Sequence, residues 1–434
     1  MPQKELNAVS LFCSSGIGDL GLKANHINTV VACELLPERM KLFLNNYREA
    51  KGFCGDIWQL KDEIVSYYRN TYKDNPFILI ATPPCQGMSS NGKGTILNNL
   101  KKGIRPQFDP RNKLIIPAVE IAKKLQPEWI IFENVPNMLN TVIEDGESVI
   151  NIIDYISREL GDIYVGKPEV VDVADYGVPQ HRNRLITILT KNENAKKIFE
   201  SNGSLIPVPT YTATDTMFTQ RWLTIRDVIE KLPPISSRKG ENIDPNNILH
   251  KVPVLDEEKL FWITNTPEGQ TAMNNQCINP KCMYQGNALH GSKHDSEGVN
   301  RANTDTPLYC EKCGELLPRP CTVDKKTGEK RIMRGFVSAY RRMSWDKPAS
   351  TLTQNFQYAC SDNKLHPNQD RVLSLYEGLI IQTIALYPYS FVVDGKQVTD
   401  GVIRDTIGES VPPLLMDKIV KNILEITENK NRMS

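Results

Sequence analysis

Short apolar runs rich in β-branched residues alternate with longer segments of helical period from about residue 7 to residue 190. Short apolar runs bounded by turn residues are typical of buried strands. The pattern predicts strands at residues 8–12, 29–33, 77–81, 129–132 and 185–189. Helices are predicted between several of these strands, among them residues 112–125 and 149–160.

The alternation of strands and helices favours an α/β domain with a doubly wound, Rossmann-like parallel sheet that is covered by helices on both faces. In that architecture ligands bind at the carboxyl ends of the strands. The residues just after each predicted strand are therefore the first candidates for a functional site.

The periodic pattern fades between about residues 192 and 333, where Pro, Asn, Lys and Gly become more frequent and four spaced cysteines appear. We interpret this region as a separate recognition lobe. Apolar patterning then returns, and residues 412–426 predict a helix that starts at a proline and packs back on the first domain. The predicted organisation is a first, larger domain of residues 1–200, a smaller recognition lobe of residues 201–355, and a C-terminal return of residues 356–434.

At 434 residues the chain is long enough for a large core and a second lobe. Lys plus Arg number 52 and Asp plus Glu number 51, so a nucleic-acid surface must come from local basic clusters. The N-terminus lacks the apolar core of a signal peptide, and no apolar run approaches the roughly 18 residues of a membrane span. We expect a cytoplasmic protein whose ten cysteines are reduced thiols, metal ligands or a nucleophile.

A run of small residues, which includes Gly16, follows the first predicted strand and predicts a turn where a ligand can approach the backbone. Glu34 ends the second predicted strand, where a carboxylate can accept both hydroxyls of a ribose. Asp56 lies where it can bond the amino group of an adenine. The alternatives are that Glu34 is a solvated strand end and that Asp56 caps the following helix.

The third predicted strand leads into residues 81–89, Ala-Thr-Pro-Pro-Cys-Gln-Gly-Met-Ser. The two prolines stiffen the loop and fix the direction in which the Cys85 thiol emerges. A bare cysteine at a strand end is more often a buried structural residue. The whole segment, however, resembles the Pro-Cys-Gln motif of the DNA cytosine-5 methyltransferases, and this resemblance implies that Cys85 is a covalent nucleophile.

The resemblance implies a specific reaction. Carbon 5 of cytosine is a feeble nucleophile because the ring is aromatic and electron-poor. A thiolate that adds to carbon 6 breaks the aromaticity, and carbon 5 can then attack the methyl group of S-adenosylmethionine. A free cysteine thiol has a pKa of about 8.5, and a nearby positive sulfonium should raise the ionised fraction.

Addition to carbon 6 also needs a proton or a strong hydrogen bond at ring nitrogen 3. Glu133 follows the fourth predicted strand, and the sequence Glu-Asn-Val that it begins matches a motif of the same family. Desolvation in a closed pocket would keep this carboxyl protonated enough to donate. The alternative is a strand-end glutamate paired with a surface lysine.

Residues 180–184, Gln-His-Arg-Asn-Arg, are similar to the Gln-x-Arg-x-Arg element of the family. The match implies that Arg182 contacts the O2 edge of the cytosine near Cys85, and that Arg184 supports the site. As a bare pattern, two arginines at this spacing are more often a solvated face.

The resemblance continues in residues 342–352, 366–374 and 407–413, in the order usual for the family. In relatives the last of these segments completes the cofactor pocket. The resemblance thus implies a set of residues that bind S-adenosylmethionine: Phe12, Ser14, Gly16, Glu34, Asp56, Ile57, Pro83, Glu409 and Ser410.

This chain departs from the family pattern in its cofactor-binding segments. Ser14 and Ile17 replace glycines that are usual in the first loop. Leu35 stands where an aromatic residue often packs on the adenine, and Glu409 replaces a usual asparagine. These departures concern cofactor affinity and leave the residues of the predicted chemistry in place, so we expect activity.

Four cysteines in the predicted lobe have the spacing of a two-knuckle zinc site: Cys277-x4-Cys282, 27 residues, then Cys310-x2-Cys313. Four thiolates fill a tetrahedral coordination sphere, so the metal would stabilise the lobe rather than catalyse. The alternative is four unconnected thiols, and possible substitute ligands are Cys321, His290 and His294.

Basic residues around the four cysteines suit the groove and phosphates of DNA: Lys281, Lys312, Arg319, Lys325, Lys326, Lys330, Arg331 and Arg334. A cytosine stacked in a duplex is out of reach of Cys85, so we expect the enzyme to flip it into a pocket between the two lobes. The resemblance implies a restriction–modification or orphan methyltransferase acting on double-stranded DNA, with a possible companion endonuclease and a monomeric chain.

Three other functions are compatible with parts of the sequence. A transfer-RNA cytosine methyltransferase would use the same residues on RNA, because one branch of the family does so. A catalytically inactive DNA-binding homologue is disfavoured by the retention of Cys85, Glu133 and Arg182. A small-molecule methyltransferase fits neither the Pro-Cys-Gln loop nor the predicted zinc lobe.

Overall fold

The structure is a computed structural model that describes residues 5–84, 109–146, 148–294, 296, 300–303, 305–333, 337–361 and 363–428. The strands in these residues are β1 Leu6–Leu11, β2 Ile27–Glu34, β3 Lys51–Cys54, β4 Ile78–Ala81, β5 Trp129–Asn134, β6 Val142–Asp145, β7 Ser148–Asn151, β8 Val165–Asp172, β9 Gln180–His181, β10 Asn183–Thr190, β11 Tyr211–Thr212, β12 Gln220–Arg221, β13 Ile243–Asp244, β14 Asn247–Lys251, β15 Ser292–His294, β16 Asn300–Ala302, β17 Cys321–Val323, β18 Lys330–Ile332, β19 Ala349–Ser350, β20 Val392–Val393 and β21 Lys396–Gln397.

The helices of the same residues alternate with these strands in the first half of the chain. They are α1 Leu20–Ala24, α2 Pro37–Asn46, α3 Ile57–Thr71, α4 Ile115–Leu125, α5 Ile152–Leu160, α6 Glu193–Asn202, α7 Ile225–Ile229, α8 Glu257–Thr264, α9 Leu375–Ile381, α10 Asp400–Glu409 and α11 Pro413–Thr427. Short 3₁₀ turns occur at Pro110–Leu114, Pro136–Asn140, Val173–Tyr176, Ala272–Asn274 and Ile384–Leu386.

The central sheet has seven strands in the order β3-β2-β1-β4-β5-β10-β8. Strand β10 runs antiparallel to both of its neighbours, so the prediction of a wholly parallel sheet was wrong at this end. Only residues 173–182 connect β8 to β10. A parallel crossover needs about a dozen or more residues, usually with a helix, so this short connection permits only an antiparallel return.

The five predicted strands are confirmed as β1, β2, β4, β5 and β10, with ends that differ by a few residues. The pattern missed the two edge strands. Only Phe53 of the four residues of β3 is buried. Strand β8 contains Gly166, Lys167 and Pro168 and buries few side chains, so neither strand shows an apolar run.

Two predicted helices start later than expected. The segment from residue 112 begins as a 3₁₀ turn and becomes α4 at Ile115. The segment from residue 149 begins as β7, and α5 starts after Asn151, whose side chain accepts a hydrogen bond from the main-chain N–H of Ile153 at 2.8 Å. This cap fixes where the helix begins.

Apolar side chains cover both faces of the central sheet. On one face α3, α4 and α5 pack over Val9, Leu79 and Ile130. On the other face the last helix, α11, packs through Leu415 and Ile419, among others. Its partners are the side chains that the same strands direct to that face. The last helix therefore packs on the central sheet.

A third cluster of buried side chains joins the loop after β1 to later parts of the chain, because Ile17 packs with Ile225, Trp345 and Leu352. A fourth cluster lies within residues 235–372 and a small one surrounds the four spaced cysteines. Within the described part of the chain, no helix has the length and apolar character needed to cross a membrane.

Candidate active site

The loop after β1 brings its backbone into an unusual conformation. Phe12 and Ser14 have φ values of 58° and 49°, and Gly16 has a φ of 83°. A Cβ on Gly16 would lie 2.5 Å from a ring carbon of Tyr47, whose hydroxyl donates to the Gly16 carbonyl at 2.6 Å. Only glycine therefore fits at position 16. The hydrogen bond from Tyr47 holds the loop that follows β1 in place.

Glu34, at the end of β2, is buried rather than solvated. Its Oε2 accepts from the main-chain N–H of Ser14 at 3.0 Å, and its Oε1 accepts from that of Leu36 at 2.9 Å. A carboxylate has about four lone-pair sites, so these two bonds leave capacity for the hydroxyls of a ribose. The alternative of a solvated strand end for Glu34 does not fit the structure.

Asp56 caps α3, which was the alternative considered for it. Its Oδ1 accepts from the main-chain N–H of Trp58 at 3.0 Å. The cap uses one carboxylate oxygen, and the other remains as an acceptor. Ile57 is buried at the first turn of α3. Leu35, at the usual place of an aromatic, is 62% exposed.

Glu409, at the end of α10, has both of its oxygens engaged. Arg39 Nη1 lies 2.6 Å from Glu409 Oε2, and Gln354 donates to Oε1. The negative charge introduced at the usual asparagine position is thus compensated by Arg39. Ser410 accepts from the Gln382 side chain, at 2.7 Å on its carbonyl and 3.0 Å on its hydroxyl.

Cys85 lies outside the described residues, which stop at Pro84 and resume at residue 109. The start of the loop is held on both sides. Thr82 Oγ1 donates to the Phe12 carbonyl at 3.0 Å, and Asn134 Nδ2 donates to the Pro83 carbonyl at 3.0 Å. These bonds join the entry of the Cys85 loop to the first loop and to the residue next to Glu133.

Glu133 lies near the end of β5 and is buried. Its Oε1 lies 2.8 Å from Nε of Arg184, whose side chain is 12% exposed. In the antiparallel register Ile186 lies opposite Glu133, so Arg184, two residues away, is on the same face. Burial raises the pKa of Glu133 above its ordinary value, while the charges of Arg184 and Arg182 oppose the rise.

The two arginines of the Gln-x-Arg-x-Arg element have different partners. Arg184 makes an ion pair with Glu133. Arg182 precedes β10 and is buried, and its Nη1 and Nη2 donate to the carbonyls of Leu352 at 2.7 Å and Gly408 at 2.9 Å.

Two glutamines that the sequence analysis did not single out also lie in this region. Gln180 and Gln382 are fully buried, and Gln180 Nε2 donates to Gln382 Oε1 at 2.6 Å. Gln180 belongs to the matched Gln-x-Arg-x-Arg element, which was a usable signal. Nothing in the local sequence of Gln382 distinguishes it, because its partners are distant in the chain.

The four spaced cysteines converge. The Sγ atoms of Cys277 and Cys313 are 3.6 Å apart, those of Cys282 and Cys310 are 3.9 Å apart, and all four lie within 4.8 Å of one another. Gly314 follows with a φ of 76°, and its N–H donates to the Cys310 carbonyl at 2.8 Å, which closes the second knuckle. The alternative of four unconnected thiols does not fit this geometry.

The possible substitute ligands lie elsewhere in the lobe. The ring Nδ1 of His290 is 2.7 Å from the Thr306 hydroxyl, and the Cys321 thiol faces Glu258. His294 lies in β15 and is exposed. The described cluster of four potential ligands contains none of these three residues.

Arg319 is a correction to the predicted basic surface. It is fully buried, and its guanidinium donates to the carbonyls of Asn275, Ala288 and Pro307 at 2.8–2.9 Å. A guanidinium enclosed by carbonyls cannot reach a phosphate. Most of the other predicted basic residues are exposed or half-buried, and Arg334 lies outside the described residues.

A Rossmann-like sheet with an antiparallel strand β10, and with buried carboxylates at the end of β2 (Glu34) and near the end of β5 (Glu133), is typical of α/β enzymes that bind a ligand at the carboxyl ends of their strands. The family model of C-5 cytosine-specific DNA methylases matches residues 6–425. The chain therefore belongs to this family. The enzyme class predicted from the sequence, a DNA cytosine-5 methyltransferase, is confirmed.

Similar proteins extend along nearly the whole chain. The type II methyltransferase M1.HgaI of Avibacterium volantium is 27% identical over 428 residues, which cover 97% of this chain and 99% of the relative. M1.HphI of Haemophilus parahaemolyticus is 24% identical, covering 98% of this chain and 88% of the relative.

A solved structure also resembles this chain. It is described as a DNA modification methyltransferase encoded within an Escherichia coli prophage, and it matches with a TM-score of 0.53. The two proteins are 18% identical, and the match covers 98% of this chain and 100% of the other. At this identity the likeness concerns the fold.

Proposed function

We propose that this chain methylates carbon 5 of a cytosine within a specific sequence of duplex DNA, as the modification enzyme of a type II restriction–modification system. The observation that carries the proposal is the buried Glu133–Arg184 pair beside the anchored entry of the Cys85 loop. Family membership and the type II relatives support it. A companion endonuclease and a monomeric chain remain predictions.

In this proposal Cys85 is the nucleophile that adds to carbon 6 of the flipped cytosine. Glu133 donates a proton or hydrogen bond to ring nitrogen 3, and its burial favours the protonated form that can donate. Arg184 holds the Glu133 carboxyl in place and takes the O2 edge of the base, the role that we predicted for Arg182. After methyl transfer, loss of the carbon 5 proton releases the thiolate.

S-adenosylmethionine supplies an electrophilic methyl group when it is bound. We assign its ribose to Glu34, its adenine edge to Asp56 and Ile57, and its amino-acid end to the loop that contains Ser410. The predicted contacts from Phe12, Ser14, Gly16, Pro83 and Glu409 complete the assignment. The buried Glu34 carboxylate, which is already fixed by two main-chain donors, fits this group because it needs little reorganisation to accept hydroxyls.

Gly408→Ala is expected to weaken cofactor use. A Cβ on Gly408 would lie 2.2 Å from the main-chain nitrogen of Gln354, so the loop that carries Ser410 must move. A displacement of about 1 Å in a reacting geometry can cost about 10²-fold, and we expect kcat/KM for S-adenosylmethionine to fall by at least about tenfold. Steady-state kinetics with varied S-adenosylmethionine measures the change.

Gly401→Ala is the matched control because Gly401 lies in the same helix. A Cβ there would meet its nearest neighbour at 3.6 Å, so kinetics and stability should stay near those of the original protein. If Gly408→Ala also left the kinetics unchanged, the assignment of this loop to the cofactor would be wrong.

We further assign a structural zinc ion to Cys277, Cys282, Cys310 and Cys313. Zn–S bonds of about 2.3 Å in a tetrahedron place the sulfurs about 3.8 Å apart. Two of the separations, 3.6 and 3.9 Å, fit this arrangement. The core around the cysteines is small, so a metal would supply stability that apolar packing does not.

Cys310→Ser is expected to remove the bound zinc and to lower the melting temperature by about 5 °C or more, because one lost thiolate opens the tetrahedral site. Elemental analysis of the purified protein, with one zinc per chain expected for the original sequence, and thermal melting check this. Cys360→Ser is the control, since Cys360 is exposed and lies outside the cluster. An original protein without zinc would contradict the assignment.

The lobe that carries the zinc site is proposed to contact DNA. Lys281, Lys312, Lys325 and Lys326 are exposed there and can neutralise phosphates. We keep the division into residues 1–200, 201–355 and 356–434 as part of the proposal, with the duplex held between the first two parts and the target base flipped towards Glu133.

The test is methyl incorporation from labelled S-adenosylmethionine into unmethylated genomic DNA, followed by base-resolution mapping of 5-methylcytosine. Methylation at one short sequence would support the proposal and identify the site. Methylation of transfer RNA and not of DNA would show that the substrate is transfer RNA. Methylation of neither would indicate an inactive homologue.

A further inference from the structure

Arg182 and Gln180 hold both main-chain polar groups of one distant residue. Arg182 donates to the Leu352 carbonyl at 2.7 Å, and the Leu352 N–H donates to Gln180 Oε1 at 3.1 Å. The pairing of β9 with β19, just before Leu352, continues this contact. The segment that follows the recognition lobe is therefore fixed against the residues just before β10.

The same two side chains reach residues 408–410, the end of α10 and the residue after it, which we call the cofactor loop. Arg182 Nη2 donates to the Gly408 carbonyl at 2.9 Å. Gln180 Nε2 donates to Gln382 Oε1 at 2.6 Å, and Gln382 Nε2 donates to the Ser410 carbonyl at 2.7 Å. Both ends of this loop are thus bonded to the Gln180–Arg182 segment, directly or through one glutamine.

This network is buried and tightly packed. Gln180 and Gln382 are fully buried and Arg182 is 2% exposed. Gly408 has no room for a Cβ against residues 353–354. Buried polar networks of this kind have few alternative arrangements, because a broken bond leaves an unsatisfied group.

On the other side, the network continues into the base site. Arg184 lies two residues after Arg182 and pairs with Glu133 at 2.8 Å. A shift of the cofactor loop that moves Gly408 would therefore also displace Arg182. Arg182 immediately precedes β10, the strand that positions Arg184. Residues 180–184 connect three places: the cofactor loop, the exit of the recognition lobe and the acid of the base site.

We propose that Arg182, together with Gln180 and Gln382, is a positioning device that couples occupancy of the cofactor loop to the affinity for target DNA. The proposal rests on the function proposed above. Arg182 acts through the main chain of Leu352 and Gly408 rather than by contact with the cytosine. Coupling of this kind is a ratio of affinities, and it is the same in whichever order the two ligands bind.

The test uses the full-length protein, S-adenosylhomocysteine and a duplex that carries the mapped methylation site. The dissociation constant of the duplex is measured with and without S-adenosylhomocysteine. We expect the ratio to be about fivefold or more in the original protein and to fall towards one in Arg182→Lys, which cannot serve both carbonyls with the same geometry.

Gln382→Met provides a second variant, since it removes the bonds to Ser410 and Gln180 at similar volume and introduces no charge. Arg184→Lys is the comparison on the same strand, and it should lower kcat while the ratio is retained. Thermal melting establishes that each variant is folded.

A ratio near one in the original protein, or a ratio unchanged in folded Arg182→Lys and Gln382→Met, would overturn the coupling. A purely structural role would lower the melting temperature and both affinities while it left the ratio intact. Absence of methyl transfer by the original protein would instead refute the proposed function, so the two failures are distinguishable.

Discussion

Cys85→Ser is expected to lower methyl transfer to DNA by on the order of 10⁴-fold or more, because the reaction depends on a nucleophile that adds to carbon 6 of the cytosine. A serine hydroxyl is almost wholly un-ionised at neutral pH, whereas a thiol is partly ionised and intrinsically more nucleophilic. Incorporation of labelled methyl groups into the mapped duplex measures the loss.

A duplex with 5-fluorocytosine at the target position adds a direct readout of the covalent step. After methyl transfer from S-adenosylmethionine, fluorine at carbon 5 cannot leave as a proton does, so elimination of the thiolate is blocked and the methylated adduct persists as a protein–DNA complex that survives denaturation. We expect this complex from the original protein and not from Cys85→Ser.

Cys360→Ser should form the trapped complex normally, because this exposed thiol lies in a different part of the chain. Trapping by Cys85→Ser at the normal rate would show that another residue is the nucleophile. Normal DNA binding by Cys85→Ser would show that its loss lies in the chemistry and not in recognition.

The sequence predicted the strands that carry the site because each of them is rich in apolar and β-branched residues. Strands β1, β2, β4 and β5 are buried on both faces, so their signal is strong and the acidic residues at the ends of β2 and β5 stand out. The edge strands β3 and β8 have one exposed face and short or interrupted patterns, and they were missed for that reason.

Side-chain direction was less predictable than residue identity. The element Gln-His-Arg-Asn-Arg marked both arginines, but which one faces Glu133 depends on the antiparallel register of β10. That register follows from a short connection whose effect is tertiary. The family resemblance assigned the cytosine-facing role to Arg182, and the pair that Arg184 makes with Glu133 is our reason for proposing Arg184 in that role.

Burial of single polar residues was also beyond the sequence pattern. Arg319 sits among basic residues and reads as part of a surface, yet it is enclosed by three main-chain carbonyls. Gln382 acquires its role from Gln180 and Ser410, which are distant in the chain. Long-range contacts of this kind leave no local periodicity, so only the spacing of the four cysteines was readable in the lobe.

Glu133→Gln is expected to lower kcat by about 10²–10³-fold with little change in duplex affinity. An amide can still donate a hydrogen bond to ring nitrogen 3, but it cannot release a proton as the adduct forms. Single-turnover methyl transfer on the mapped duplex, together with binding measurements, separates the two quantities.

The pH dependence carries the sharper test of Glu133. Burial raises the pKa of the Glu133 carboxyl, and the donating form is the protonated one, so activity should fall as the pH rises through that pKa. Arg184→Met removes the larger of the two arginine charges that oppose the rise. The pH at which activity falls should then be higher in this variant, even though its kcat is lower.

Glu133→Gln should lose this limb altogether, because its side chain does not titrate. Arg404→Met is a suitable control, since Arg404 lies on α10, stacks on Tyr358 and is not among the charges that shift the pKa of Glu133. A limb that stays in place in both Glu133→Gln and Arg184→Met would assign the titration to another group, and Glu133 would then be a structural partner of Arg184 rather than the acid.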